Sequence, residues 1–334
     1  MLGGAEDGGL EKHTIELSHA LKEKGIDICV IAHKKFKDDF KGIKFIELDL
    51  NKGRNNPFVL YKLYKILKKD NFDIIHTQAN KATQMVIKLK PFLKSKVIST
   101  LHSYKKNIKS FEKADFVITV SERIGEKLKT KNRDTVYNGV EIDGIKKINL
   151  YKKFGIAENR FIVCGVGRLV DVKKFDILIQ SIKNTSVHLL IIGDGEKKEE
   201  LLSLIKKLNI EDRVTCTGTL NQKDTREIIK SSNLVCITSK KEGFSYVFAE
   251  SLMLHTPLIS TDVADIKKFL TKKFIIPFEN IDIISDKIRA VELNYNETLK
   301  EFKEKFLTSQ ENFSIKNMID KTIKIYERVL KHEV

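Results

Sequence analysis

The sequence predicts an α/β protein made of two Rossmann-like, doubly wound domains. Three observations predict it. Apolar strand-like runs alternate with helical periodicities along the chain. The length of 334 residues suits two domains. A polar stretch at 141–155 interrupts the alternation before it restarts.

In the first half the strand-like runs are 27–32, 44–48, 73–77, 96–101, 115–120 and 135–138. Asn56-Pro57 opens a helix in which Leu60, Leu63, Tyr64 and Leu67 share one face. Ala82, Met85, Val86 and Leu89 mark another, stopped near Pro91. In the second half the strands are 160–167, 187–193, 213–218, 234–239, 257–261 and 274–277, with helices beginning near Val172, Lys197, Lys223 and Tyr246. A last helix follows Ser314 and carries Ile315, Met318, Ile319, Thr322, Tyr326 and Val329 on one side. The expected boundaries are 1–145 for an N-terminal domain, 146–312 for a C-terminal domain, and 313–334 for a helix crossing back to the first. One part is out of place. A doubly wound domain opens with a central strand before its glycine-rich turn, yet only Met1 and Leu2 precede Gly3-Gly4. The first strand is therefore expected to be missing, through an upstream natural start or a truncation.

With 41% hydrophobic and 32% charged residues the composition is that of a globular protein, not of a disordered or fibrous one. The stretch from Met1 to Leu10 is glycine-rich and acidic, unlike a secretory signal. No run of apolar residues is long enough to span a membrane. Cys29, Cys164, Cys216 and Cys236 each sit in a strand-like run and form no CxxC pair, which points to reduced cysteines and a cytoplasmic place. The formal net charge of +16 concentrates in residues 51–110, with 14 basic and 2 acidic side chains. That field suits an anionic membrane surface or an acidic acceptor as well as a solvated lysine-rich face. No nucleic-acid-binding motif accompanies it, so nucleic acid is not an expected partner.

Two constellations carry the chemistry. In Lys241-Glu242-Gly243-Phe244-Ser245-Tyr246-Val247-Phe248-Ala249-Glu250, two carboxylates flank a strand-to-helix turn. The amides of Gly243 to Val247 would open the helix, where the macrodipole favours phosphate oxygens, and carboxylates accept from sugar hydroxyls. Solvated glutamates on a capped helix are the plainer alternative. In Gly167-Arg168-Leu169-Val170-Asp171-Val172-Lys173, Arg168 and Lys173 can converge on a diphosphate; surface salt bridging is the alternative. Gly193 and Gly218 end strands where ligands bind in open α/β sheets, but tight turns also need glycine there. Gly8-Gly9 turns into a helix on which His13 shares a face with Leu10, Leu17 and Leu21. His76 and His102 lie at strand ends, where each reads equally as functional or as a packed imidazole. No metal-site spacing, Walker A loop or GxSxG elbow occurs.

Together the segments GGLEKH (8–13), DIIHTQ (73–78), TLHSY (100–104), ADFVITVS (114–121), YNGVEID (137–143), GVGRLVDVKK (165–174), LLIIGDG (189–195) and KEGFSYVFAE (241–250) resemble the retaining glycosyltransferases of family 4, which have the GT-B fold. The last segment fits that family's E-x7-E motif. The resemblance implies two Rossmann-like domains facing a cleft, with a nucleotide-sugar held mainly by the second. It implies that Arg168 and Lys173 hold the diphosphate, Glu242 the donor sugar and Glu250 the ribose. Amides around Gly243, Phe244 and Ser245 would bind sugar or phosphate, with Gly193 and Gly218 nearby. Gly9 would let the first-domain loop approach the donor, and His102 would lie beside the reacting sugar. No metal or other cofactor is expected. The implied reaction is sugar transfer, with retention, to a glycan or lipid-linked acceptor in lipopolysaccharide or cell-surface glycan synthesis. It would take place in the cytoplasm or peripherally on the inner membrane face. A sugar-nucleotide epimerase of the same fold and a non-catalytic sugar-nucleotide-binding protein are the alternatives. The chain departs from the family at His255, where glycine is usual before Thr-Pro, and at Val263-Ala264-Asp265-Ile266, which replaces a glycine-glycine-x-x-glutamate turn. Only eleven residues separate His102 from Ala114, a shortened acceptor-side segment.

Overall fold

The computed structural model describes residues 1, 8–50, 53–105 and 107–331. The expected Gly3-Gly4 turn lies outside the described residues. In chain order the first elements are α1 (Gly9–Glu23), β1 (Cys29–Ala32), β2 (Lys44–Glu47), α2 (Pro57–Asp70), β3 (Ile74–Gln78) and α3 (Ala79–Leu89). They are followed by β4 (Lys96–Leu101), β5 (Phe116–Thr119), α4 (Glu122–Gly125) and β6 (Arg133–Thr135). Next come α5 (Leu150–Phe154), β7 (Ile162–Val166), α6 (Phe175–Ser181), β8 (His188–Ile192), α7 (Lys198–Lys207), β9 (Val214–Gly218) and α8 (Gln222–Ser231). The remainder is β10 (Leu234–Ile237), α9 (Tyr246–Met253), β11 (Leu258–Thr261), β12 (Ile275–Ile276), α10 (Ile281–Leu293), α11 (Tyr295–Phe313) and α12 (Ile315–Leu330).

The chain divides into two compact units, one of Met1–Gly139 with Asn312–Val334, the other of Val140–Glu311. In the first unit β3-β4-β5-β6 form a parallel sheet, and β1-β2 form a separate parallel pair. One face is covered by α1 and α12, where Leu17, Leu21, Ile98, Ile118, Met318 and Val329 are buried together. Leu63 and Leu67 of α2 pack with Met85, Val86, Ile75 and Val97 in another buried cluster. The start of α2 is fixed as its sequence suggests: the Asn56 side chain accepts from the Phe58 and Val59 amides, and Pro57 takes the first turn, where no donor is needed. Ser314 caps α12 in the same way.

The second unit is a six-stranded, all-parallel sheet in the order β12-β11-β10-β7-β8-β9. Counted from β7, that is 6-5-4-1-2-3, the doubly wound Rossmann order, which reverses between β7 and β10. Those central strands are buried except at Val166, which is why IVCGV and LVCI read as continuous apolar runs.

Local differences from the sequence reading have physical causes. The expected linker at 141–155 contains α5, because Asn149 caps its first turn, Leu150 is buried and Gly155 ends it in the left-handed region. The last strand of the first unit is Arg133–Thr135, not 135–138, since Val117, Ile118 and Thr119 of β5 pair there. The helix expected near Val172 begins at Phe175 after a single 3-10 turn. Two helices, α10 and α11, had no counterpart in the sequence reading.

Candidate functional site

The sheet reversal between β7 and β10 brings the loops after these strands side by side, and both predicted constellations lie on those loops. Backbone and side chain tie the loops together. The Lys240 amide donates to the Val172 carbonyl at 2.8 Å, and the Thr238 hydroxyl bonds the Lys173 and Lys174 carbonyls at 2.9 and 3.0 Å. Lys173 Nζ then donates to Glu242 Oε1 at 2.8 Å, and the Ser239 hydroxyl donates to the same oxygen at 2.6 Å. The Glu242 side chain is only 7% exposed. Burial alone would raise its carboxyl pKa. The Lys173 charge, with hydrogen bonds from Lys173, Ser239 and Ser245, outweighs burial and holds the group below its ordinary value. Glu242 is therefore a fixed, ionised acceptor. Lys173 spends one of its three N–H donors on it and keeps two.

Arg168 leaves the same loop exposed, and its guanidinium has no ion-pair partner among the described residues. Helix α9 begins at Tyr246, with the Ser245 hydroxyl accepting from the Phe248 amide. Gly243 and Phe244 thus precede the helix instead of forming its first turn, and the Phe244 ring meets Tyr246 edge-on at 5.3 Å. Glu250 lies one turn in and is buried. Arg226 of α8 donates from Nε to its Oε1 at 3.1 Å, both side chains being under a tenth exposed. Arg226 Nη2 has no hydrogen-bond partner among the described residues. A buried carboxylate held by a guanidinium keeps one rotamer.

The glycines have local reasons of their own. Gly193 has φ +142°, and a Cβ there would sit 1.9 Å from the Gly167 carbonyl oxygen, so no other residue fits. Its amide bonds the Gly218 carbonyl at 2.9 Å, and Gly218 turns at φ +72°. The two unusual positions keep glycine-like backbone: His255 has φ +61° and Ala264 φ +46°. The His255 ring stacks on Phe306 at 5.1 Å.

The first unit gathers different chemistry. Gly9 is the first residue of α1 and is exposed. His102, just past β4, bonds through Nε2 to Gln78 Oε1 at 2.7 Å, and its ring meets His13 edge-on at 4.9 Å. His76 is the third of five residues in β3, not at its end. Its two nitrogens bond Tyr326 Oη at 2.7 Å and Thr100 Oγ1 at 2.6 Å, which marks it as a packed histidine. Burial lowers the pKa of all three imidazoles, to about 4 for His13 and well below the usual value for His76 and His102. His102 is therefore a neutral imidazole. With the Gln78 carbonyl facing it, the network assigns the Nε2 proton to that bond and leaves Nδ1 as an acceptor.

The sequence reading missed Gln78, Ser239, Arg226 and Tyr326. Gln78 was within reach, since it shares a strand face with His76 by simple alternation.

Two family profiles match the chain in tandem. "Glycosyltransferase Family 4" covers residues 7–143, and "Glycosyl transferases group 1" covers 146–306. The chain belongs to the family 4, group 1 glycosyltransferases. Among curated relatives it is 27% identical over 296 residues to the N-acetyl-alpha-D-glucosaminyl L-malate synthase of Bacillus anthracis, covering 76% of each chain. It is 25% identical over 265 residues to the lipopolysaccharide core biosynthesis glycosyltransferase LpsE of Rhizobium meliloti, with 77% of this chain and 76% of that one covered. Its fold matches the crystal structure of Anabaena HepE in complex with UDP and glucose. The TM-score is 0.83 over 98% of both chains, at 16% identity. The GT-B fold, membership in a retaining family and dependence on a nucleotide-sugar follow for this glycosyltransferase. Among the described residues no helix is long and apolar enough to cross a membrane.

Proposed function

We propose that this glycosyltransferase moves a hexose from a nucleoside diphosphate sugar held by the second unit to a glycan or lipid-linked acceptor presented by the first, as in lipopolysaccharide core assembly. The observation that carries the reading is the Lys173–Glu242 pair at the strand-order reversal, beside a Glu250 clamped by Arg226. Lys173 and Arg168 neutralise the diphosphate as it leaves. Glu242 accepts from hydroxyls of the donor sugar and Glu250 from the ribose. The loop amides at Gly243, Phe244 and Ser245 complete the anion cradle, which Gly193 and Gly218 border, and Gly9 supplies the first unit's approach. The acceptor hydroxyl attacks on the face from which the diphosphate departs. Its proton passes to a phosphate oxygen, so neither carboxylate serves as a base. Catalysis is positioning and charge stabilisation. His102, neutral at physiological pH, hydrogen-bonds the reacting sugar without adding charge. LpsE and the UDP-bound HepE support a surface-glycan role and a uridine donor.

A cytoplasmic enzyme peripheral to the inner membrane face is supported by an aromatic and basic surface on the first unit. Phe58, Tyr61 and Phe92 are 82%, 59% and 68% exposed, among the exposed lysines 62, 65, 68, 69 and 94. Aromatic and lysine side chains together suit an anionic headgroup layer. Thermal-shift measurement across UDP-, GDP- and ADP-sugars tests the donor, with stabilisation by one class expected. No shift with any of them rejects the donor site. Salt-sensitive sedimentation with anionic vesicles, lost in Phe58→Ser/Phe92→Ser, tests the surface; binding unaffected by both changes removes it.

A further inference from the structure

Helices α8 and α9 pack on one another in the second unit. Every residue of α9 from Phe248 to Met253 is buried, and Glu250 is that helix's one charged side chain. The buried face of α8 holds Ile228, Ile229 and one charged side chain, Arg226; its other charged residues are half-buried or exposed. Each helix thus turns a single charge inward, and the two charges meet. Arg226 Nε donates to Glu250 Oε1 at 3.1 Å, with 7% and 8% of the two side chains exposed.

Stability does not account for this pair. Withdrawing two ions from water is costly, and packed apolar residues in their place are often neutral or stabilising. Apolar side chains at both positions would simply continue the faces on which they lie. Arg226 Nη2 is moreover buried with no hydrogen-bond partner among the described residues, a donor whose desolvation nothing there offsets. A carboxylate in such a place fits a ligand that it must meet. A guanidinium beside it fits the need to hold that carboxylate still before the ligand arrives, and its planar, permanently charged fork suits the task.

We propose that Arg226 is a positioning residue for the donor nucleotide: it fixes the Glu250 carboxylate in the orientation that accepts from a ribose hydroxyl, and so gives the enzyme a preference for ribonucleotides over deoxyribonucleotides. The inference rests on the reading of Glu250 as the ribose acceptor. Arg226 acts through the carboxylate, not on the nucleotide. A hydroxyl bonded to a charged group contributes ~10- to 100-fold in affinity, and that gain is kept only where the acceptor is already in place.

Calorimetric titration of the full chain tests this, with UDP, GDP or ADP, whichever the thermal-shift panel selects, and with its 2′-deoxy and 3′-deoxy forms. The parent is expected to bind the ribose form ~10- to 100-fold more tightly than one of the deoxy forms. Arg226→Gln is expected to cut that ratio to ~3-fold or less, while affinity for the deoxy form stays within ~2-fold. An arginine that only supported the fold would weaken both nucleotides alike. Arg226→Lys, which keeps the charge without the planar fork, is expected to lower the ratio at least ~3-fold and carries the test should Arg226→Gln not fold. An unchanged ratio in the Arg226 variants, or equal weakening of both nucleotides, overturns the proposal. Arg226→Met/Glu250→Met removes both buried charges and separates the proposal from the reading beneath it. If the double variant loses the ratio and the single variants keep it, Glu250 remains the ribose acceptor and only the role of Arg226 falls. If the double variant keeps the parent's ratio, both fall.

Discussion

The two units are built on the same plan and differ at its centre. In the second, β7 and β10 pair directly, and the sheet is continuous from β12 to β9. In the first, the sheet is split into β1-β2 and β3 to β6, with a cavity between them. Their polar chemistry differs as well. The second unit concentrates charge: two carboxylates, each held by a cation at 2.8 or 3.1 Å. The first gathers uncharged imidazoles: Gln78 bonds His76 and His102, and the His13 ring meets His102 edge-on. A continuous sheet can fix ion pairs at its reversal point because its loops are anchored on both sides, whereas neutral hydrogen bonds suffice where nothing is to be neutralised.

The contrast can be broken at Arg226. Arg226→Met takes the guanidinium from a buried carboxylate, and the expected cost is ~3–5 kcal/mol of stability in the second unit. Urea unfolding followed by a probe in each unit should show the second transition moving and the first staying. A loss below ~1 kcal/mol would mean that Glu250 is held by other groups.

Acid separates the units by the pH at which each weakens. A base whose folded pKa lies below its unfolded value loses stability as pH falls between the two, because only the unfolded chain takes up the proton. The three histidines of the first unit therefore weaken it from about pH 6.5 down to about 4, the folded value of His13. His188 and His255 act in the same sense in the second unit. Glu242, an acid held below its ordinary value, stabilises the second unit above pH 4.5 and is lost only as pH falls through its folded pKa. Circular dichroism and unit-specific exchange between pH 7 and 4 should find the first unit opening earlier. Simultaneous opening would contradict that ordering.

The smallest effect concerns the backbone. Ala264 holds φ +46°, so Ala264→Gly should stay within ~1 kcal/mol of the parent, with relief of strain set against a lost methyl. Ala264→Val should cost ~1–3 kcal/mol. Denaturant midpoints of the two variants measure the difference directly.

Much of this was legible in the residues. GVGRLVDVKK and KEGFSYVFAE each follow a buried strand, and a parallel sheet delivers such loops to one edge, so the meeting of Lys173 with Glu242 could be read in advance. Arg226 and Tyr326 were not legible. They reach Glu250 and His76 across 24 and 250 positions, from helix faces whose apolar periodicity hides a single polar contact. Nor could letters alone show that His255 and Ala264 keep the left-handed turns that glycine would supply more easily. His76 misled because a strand alternates its faces, and the face it took was the one packed on α12.

The most direct test is calorimetric titration of the nucleoside diphosphate selected by the thermal-shift panel, with the parent chain and with Lys173→Ala. One molecule should bind per chain, and Lys173→Ala should weaken it ~10- to 100-fold, the worth of one hydrogen bond to a charged group. Equal affinity in the two proteins would contradict a diphosphate site at the β7–β10 reversal.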